Sequence, residues 1–151
     1  QEIDKVKGQK GGLSVEKKLF VETNNGTNRQ IRPVTPEQPL RIGDKVIVRL
    51  TIRTDREMNY VFLKDLRAGC FEPADQLSGP ESRDGIWYYR SPKDVSENFF
   101  INRLPEGTFV LEYPVYVSRS GEYAGGISTI QCMYAPEFVS HTAGESLRIM
   151  P

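Results

Sequence analysis

Apolar and polar residues alternate along much of this chain, and two stretches show the pattern most clearly. In residues 45–55 (KVIVRLTIRTD) the even positions from Val46 to Ile52 are apolar. In residues 108–118 the odd positions from Phe109 to Val117 are apolar, and their neighbours include Thr108, Glu112, Pro114 and Ser118, which are polar or lack a main-chain donor. A period of two sends successive side chains to opposite faces of a strand, so one face is buried and the other is wet. Both stretches are predicted to be strands of an antiparallel β-domain.

Shorter apolar runs predict further strands at residues 13–22, 60–68, 86–90, 97–104 and 127–134, with an edge strand in the tail after Gly144. In 13–22 one face is apolar except for Lys17. In 60–68 the apolar positions do not keep one parity, which predicts a bulge or burial on both faces.

Turn-forming residues separate these runs. NNGTN at 24–28 favours a turn, and Pro33, Pro36 and Pro39 indicate a connector that is not a central strand. Residues 71–84 show no periodicity and predict a long loop, either functional or mobile. GEYAGG at 121–126 is interpreted as a hairpin loop.

Seven to eight predicted strands without a convincing helix favour an all-β fold, an antiparallel two-sheet β-sandwich with Greek-key-like connections. Residues 1–12 are rich in Lys and Gly and are predicted to be a linker. Residues 13–151 are long enough to form one domain with a substantial core.

Composition and charge narrow the possible partners. Twenty basic and twenty acidic residues cancel, so nothing indicates binding to nucleic acid or to an anionic membrane. No apolar run approaches the length that spans a bilayer, and the first residues lack the apolar core of a signal peptide. If the domain is exported, we expect its signal elsewhere in a longer protein.

Residues suited to catalysis or metal binding are few. His141 is the single histidine, in a predicted surface loop, and a Cys–His dyad with Cys70 or Cys132 would lack an orienting third group. Acidic residues are scattered and are interpreted as solvated surface groups: Glu57, Asp65, Asp84, Asp94 and Glu97. We therefore expect no enzyme activity, no metal and no cofactor.

The two cysteines leave two alternatives open. They allow one disulfide, but a domain of this size does not need that constraint. Because Cys70 and Cys132 both lie in apolar strand contexts, free thiols buried as small hydrophobic groups are the other interpretation.

The aromatic residues suggest two structures. Trp87 and Tyr88, with nearby rings, could form a platform that stacks on carbohydrate, although alternation requires some of these rings to be core. Tyr113, which follows the LPEGTF turn, resembles a tyrosine corner, in which a buried ring uses its hydroxyl to hold a crossing loop.

The segment Met133-Tyr134-Ala135-Pro136 ends a predicted strand, because Pro136 cannot continue the ladder. If the strand persists, Met133 and Tyr134 point to opposite sides; if the chain has already turned, both point outward. A thioether and an aromatic ring at a domain tip suit a neighbour's hydrophobic pocket, whereas plain strand-end core residues are the alternative.

Several segments together resemble the C-terminal domain of alpha-2-macroglobulin-like proteins of Bacteroidetes: LRIGDKVIVRLTIRTDREMNYVFLKDLRAGCFEP, RDGIWYYRSPKD and NFFINRLPEGTFVLEYPVYVSRSGEYAGGISTIQCMYAPEF. The resemblance runs from about residue 13 to residue 145. It implies a macroglobulin-like β-sandwich, related to the fibronectin type III architecture, at the end of a much larger protein of the periplasm or cell envelope.

The resemblance also implies a function. Members of this family trap endopeptidases: cleavage of a bait region triggers a rearrangement, and a Cys–Gln thioester captures the protease. The C-terminal domain packs on the thioester domain of the same chain and shields the thioester from water. The residues that carry this shield look like Met133 and Tyr134. Neither Cys70 nor Cys132 has a Gln three residues later, so this domain has no thioester of its own. The rival interpretation is a β-sandwich that binds carbohydrate or a protein of the cell envelope.

Overall fold

The computed structural model describes residues 12–25, 28–35, 37–74, 79–83, 85–93, 95–144 and 146–151. The regular structure in these ranges is entirely β-strand. The strands are β1 Leu13–Asn25, β2 Asn28–Pro33, β3 Leu40–Arg41, β4 Lys45–Thr54, β5 Met58–Leu66, β6 Phe71–Pro73, β7 Gly79–Arg83, β8 Ile86–Pro92, β9 Ser96–Leu104, β10 Gly107–Val117, β11 Gly121–Ala124, β12 Ser128–Cys132, β13 Val139–His141 and β14 Ser146–Met150.

Two large sheets enclose the core. One has the strand order β2-β1-β4-β10-β6 and the other β13-β12-β5-β9-β8-β7. Their inner faces share one cluster of buried apolar side chains, and the Phe99 and Tyr113 rings meet across it with centroids 6.2 Å apart. The predicted all-β sandwich is therefore confirmed, although the described strands outnumber the seven to eight expected.

A third, small sheet was not predicted. It has the order β11-β14-β3, and β3 pairs with β14 in parallel, whereas every other described pair is antiparallel. The predicted tail strand is thus confirmed as β14. The interpretation of 121–126 as a hairpin loop is wrong, because Gly121–Ala124 forms β11 along β14.

Alternation predicted the long strands well. β4 and β10 pair along their length, with Leu50 opposite Leu111 and both fully buried. β1 lies on the other side of β4 and extends to Asn25, beyond its predicted end. β2 is an edge strand that ends at Pro33, where a missing amide donor is tolerated.

The prediction of one loop over 71–84 is wrong for most of its described part. Phe71–Pro73 is β6, which pairs with β10 in one large sheet, and Gly79–Arg83 is β7, which pairs with β8 in the other. Both are edge strands, so Pro73 and Pro80 do not interrupt a central ladder.

The irregular parity predicted near residue 60 has a local cause in β5. Buried positions change from even, at Met58, to odd, at Val61 and Leu63. The change occurs at Tyr60, whose φ is 57°, the one positive value among described non-glycine residues. Tyr60 therefore turns the strand where its buried face changes sides.

Two further points concern the N-terminal linker and membrane spans. The linker predicted at 1–12 lies outside the described residues, except for Gly12, whose carbonyl accepts a hydrogen bond from the Asp55 amide (3.0 Å). Among the described residues no helix has the length and apolar composition needed to cross a membrane.

Candidate functional site

The segment between β12 and β13, residues 133–138, forms a compact loop, here called the tip loop. β12 ends at Cys132, and the Ala135 amide donates to the Cys132 carbonyl (3.3 Å) in a first turn. The Phe138 amide donates to the Ala135 carbonyl (2.9 Å), and the Cys132 amide donates to the Phe138 carbonyl (3.0 Å), closing the loop at its base. The Gln131 side chain also donates to the Pro136 carbonyl (3.3 Å). These bonds define the loop's backbone.

The tip loop exposes the two side chains singled out from the sequence. Met133 is 52% exposed and Tyr134 is 77% exposed. Ala135 and Phe138, by contrast, are half-buried against the core. The chain has therefore already turned at Met133, and both side chains point outward rather than to opposite sides of a continuing strand.

The start of β5 supports the tip loop from beside it. The Met133 amide donates to the Tyr60 carbonyl (2.8 Å), and the Cys132 thiol donates to the Asn59 carbonyl (3.4 Å). The Tyr60 and Tyr134 rings are in contact, with centroids 4.7 Å apart and planes tilted by 50°. Two successive carbonyls and one ring of β5 thus hold the beginning of the loop.

Tyr113 is buried in the core as a tyrosine corner requires, but its hydroxyl does not hold a crossing loop as predicted. The ring is fully buried in the core, and the hydroxyl donates to the carboxylate of Asp65 on the opposite sheet. Burial, followed by the negative charge of Asp65, holds the pKa of Tyr113 well above its ordinary value of 10.0. The contact joins β10 to β5 across the sandwich.

Asp65 is the centre of a buried polar cluster, so its interpretation as a solvated surface acid is wrong. Its Oδ1 accepts bonds from the Lys17 ammonium and from the Ser128 hydroxyl, each at 2.7 Å. Lys17, the polar interruption in the apolar face of β1, points inward for this reason. Its ammonium also donates to the Leu66 and Gly126 carbonyls (3.2 Å each).

Glu97 is the second buried acid that was expected on the surface. It is fully buried between two guanidinium groups, with Arg67 Nη1 at 3.1 Å from one carboxylate oxygen and Arg90 Nε bonded to the other. Burial raises the pKa of Glu97, while both arginines favour its charged form. Of the other acids, Glu57 is exposed and paired with Arg103 (3.1 Å), and residues 84 and 94 lie outside the described residues.

The platform predicted from Trp87 and Tyr88 is wrong in one member. Trp87 is 70% exposed, but Tyr88 is buried in the core, its ring 5.6 Å from that of Phe99. Burial, followed by the charge of Glu81, raises the pKa of Tyr88 to about 12. Successive side chains on β8 face opposite ways, so the neighbour that shares the outer face with Trp87 is Tyr89.

An aromatic row crosses the outer face of the six-stranded sheet. The row consists of Tyr89 on β8, Phe100 on β9 and Phe62 on β5, which are successive partners in the register of the sheet. Pro80 on β7 lies next to Tyr89 and extends the row to the sheet edge. The Phe62 and Phe100 rings stack with centroids 4.8 Å apart. Trp87 precedes Tyr89 by two residues on the same face. This half-exposed apolar surface leads toward the tip loop, because Phe62 follows Tyr60 by two residues.

The cysteines and the histidine do not form a dyad among the described contacts. Both thiols are free and buried, so the disulfide alternative is wrong. Cys132 donates to a main-chain carbonyl, and burial raises the pKa of Cys70. His141 lies on β13 opposite Thr129, not in a loop, and is exposed. Within the described ranges no group of His, Cys, Asp and Glu is arranged to hold a metal ion.

Sequence reasoning missed Tyr60, Lys17 and Asp65 as partners of these sites. A parity change in 60–68 and one lysine in an apolar face were visible signals, but neither indicates which partner lies opposite.

Solved structures that share this fold include bacterial alpha-2-macroglobulins. Salmonella alpha-2-macroglobulin, as a variant, superimposes with a TM-score of 0.71 at 21% identity, over 93% of this chain and 9% of that chain. The same protein reacted with methylamine gives 0.70, with the same identity and coverage. Trypsin-activated alpha-2-macroglobulin from Escherichia coli gives 0.71 at 16% identity, over 93% of this chain and 10% of that chain.

Sequence comparison adds a curated relative and a family. Circularly permutated Ras protein 2 of Dictyostelium discoideum is 28% identical over 109 residues, which cover 72% of this chain and 3% of that protein. This chain thus spans only a small part of its relatives. Residues 12–137 match the family described as Bacterial Alpha-2-macroglobulin MG10 domain. The chain therefore belongs to the family of bacterial alpha-2-macroglobulin MG10 domains.

Proposed function

We propose that this domain is a non-catalytic part of a bacterial protease trap. In this proposal it packs on the thioester domain of a longer chain, and Met133 and Tyr134 cover the thioester until an endopeptidase cleaves the bait region. The parent protein acts in the periplasm or cell envelope.

The observation that carries the proposal is the tip loop. Its backbone is closed by hydrogen bonds, Ala135 and Phe138 pack against the core, and Met133 and Tyr134 are exposed. Such an arrangement presents a methionine and a tyrosine at a defined position. Burying side chains of this size against a partner is worth about 1.5–3 kcal/mol each, which favours an apolar site on a neighbouring domain.

The chemistry of a thioester explains why such a cover would be useful. Water attacks the thioester carbonyl, the carbon–sulfur bond breaks, and a thiol and a carboxylic acid are released. A thioether and an aromatic ring placed over the bond exclude water and keep the carbonyl available for a protease amine. Moving them away when the bait is cut would then expose the bond.

The chemistry of two structural relatives supports this function. The Escherichia coli protein was solved after activation by trypsin, and the Salmonella protein after reaction with methylamine. A small amine is the kind of nucleophile that opens a thioester. Because this chain spans only a tenth or less of those two, the trap as a whole is a proposal for the parent protein.

The test uses the full-length parent protein with Tyr134→Ala, Met133→Ala and the double variant. The rate at which a free thiol appears in buffer, measured with a thiol reagent, is expected to rise in all three variants, and most in the double variant. Tyr116→Ala is the matched control, because Tyr116 is also exposed but lies on β10 in the other large sheet. Hydrolysis rates equal to that of the control would refute the shielding role.

A second candidate function rests on the aromatic row. Tyr88 is excluded, but Trp87, Tyr89 and Phe100 remain exposed on one face and could stack on a saccharide or meet a protein of the envelope. A glycan array with this chain separates the two candidates. Saccharide binding that Trp87→Ala abolishes and Tyr134→Ala leaves unchanged would favour the binding module.

A further inference from the structure

We infer that Tyr60 is the positioning residue of the tip loop: its left-handed backbone and its ring together set the direction of Tyr134. This inference rests on the proposed function for its biological meaning, but its structural content is independent of it.

The backbone of Tyr60 is the first observation. A φ of 57° is uncommon and strained for a residue with a large side chain, and it persists only where neighbouring contacts impose it. The conformation does not shift the pairing of β5 with β9, because the register is the same on both sides, at Asn59 opposite Arg103 and Val61 opposite Ile101. The unusual conformation is therefore a local feature of one residue inside a continuous strand.

The contacts of Tyr60 show what this conformation achieves. Its carbonyl accepts the amide of Met133 at 2.8 Å, and its ring packs on the Tyr134 ring at 4.7 Å between centroids. Both contacts of this one residue are with the exposed pair of the tip loop. An extended residue would send its side chain straight out from the sheet, so the left-handed turn is what lets one residue make both contacts.

The exposure of Tyr60 adds a third observation. Its side chain is 47% exposed even though it contacts Tyr134, so it contributes little to the core of the domain. The backbone conformation of Tyr60 moves the buried face of β5 from Met58 to Val61. It also builds a surface of three side chains, Tyr60, Met133 and Tyr134, on one side of the domain.

Three substitutions separate the backbone from the ring. Tyr60→Phe keeps the ring and is expected to behave as the natural chain. Tyr60→Asn removes the ring but tolerates the left-handed region, so the Met133 amide stays protected from hydrogen exchange while the Tyr134 ring loses its contact. Tyr60→Val disfavours the left-handed region, so exchange at Met133 is expected to increase as well.

The readouts are NMR measurements on this chain and thioester hydrolysis in the parent protein. In Tyr60→Asn the Tyr134 ring signals shift, and hydrolysis rises about twofold to tenfold, the range that the strength of aromatic pairs predicts. In Tyr60→Phe, which keeps the ring, the Tyr134 signals and the hydrolysis rate are expected to match those of the natural chain. Unchanged Tyr134 signals in Tyr60→Asn would overturn the inference, since a ring that positions its neighbour cannot be removed without effect.

The two proposals fail in different ways. If Tyr134→Ala accelerates hydrolysis but Tyr60→Asn changes neither the Tyr134 signals nor the rate, the shield stands and the positioning role is refuted. If Tyr60→Asn shifts the Tyr134 signals and no tip variant changes hydrolysis, the positioning role stands and the thioester shield is refuted.

Discussion

Replacing Tyr113 by Phe tests how the two large sheets are held together. The substitution keeps the buried ring and removes only the hydroxyl that donates to the Asp65 carboxylate. Asp65 keeps the bonds from Lys17 and Ser128 to its Oδ1 at 2.7 Å, so its charge stays compensated, but its Oδ2 loses the bond from Tyr113. We therefore expect a folded but less stable protein.

The size of the effect follows from the type of bond that is lost. A hydrogen bond to a charged group contributes about 1.5–3 kcal/mol to the free energy of unfolding. For a chain of this size the midpoint of thermal unfolding is expected to fall by about 3–12 °C. Urea unfolding followed by far-ultraviolet circular dichroism measures the change. Fluorescence is a poor probe, because Trp87 is mostly exposed in the native state.

The cost of this substitution also depends on pH. Burial raises the pKa of Tyr113 in the folded protein above the ordinary value of 10.0. The unfolded chain therefore ionises first, and the stability linked to the neutral hydroxyl is complete below pH 10 and is lost as the pH rises further. The difference between the natural chain and Tyr113→Phe should be constant up to about pH 10 and smaller above it.

Tyr116→Phe is the matched control, because it makes the same chemical change on the same strand at an exposed position. Tyr116→Phe is expected to leave the midpoints of both thermal and urea unfolding unchanged. If Tyr113→Phe and Tyr116→Phe unfold at the same urea concentration, the bond between Tyr113 and Asp65 contributes nothing and the reasoning is refuted.

Three further predictions concern other sites. Gly126→Ala should strongly destabilise the fold, because a Cβ there lies 1.7 Å from a main-chain oxygen of β5, whereas Gly69→Ala meets only a ring at 3.5 Å; chemical denaturation compares them, and equal stability contradicts the clash. Cys70 and Cys132 should resist a thiol reagent in the native protein and both react in denaturant; rapid labelling without denaturant contradicts their burial. Absorbance titration should show a tyrosine step near pH 12 that Tyr88→Phe removes; a titration unchanged by that substitution contradicts the assignment.

Alternation predicted most of the scaffold but not its edges. β4 and β10 run long enough for a period of two to be unmistakable, and they form the centre of one sheet. β6, β11 and β13 have three or four residues each, too few to show a period, and they exist because a longer neighbour offers unpaired main-chain groups. Such strands depend on tertiary pairing rather than on local pattern.

The candidate site, too, was only partly predictable from the sequence. Alternation required Trp87 and Tyr88 to face opposite sides, but it could not indicate which of them faced the core. Met133 and Tyr134 had two possible directions until the turn at Cys132 was known. Asp65 was indistinguishable from a surface acid, because its partners Lys17 and Tyr113 are 48 residues away on either side in sequence.

β12 connects the buried cluster to the tip loop, and this has a mechanical consequence. At one end its Ser128 hydroxyl is bonded to Asp65, and at the other end Cys132 and Met133 are bonded to β5. A five-residue strand fixed at both ends cannot bend or slide independently of the sheet, so the exposed pair has little freedom to retract by itself. If this pair covers a thioester as proposed, uncovering the bond would therefore require movement of the domain as a whole rather than of the tip loop alone.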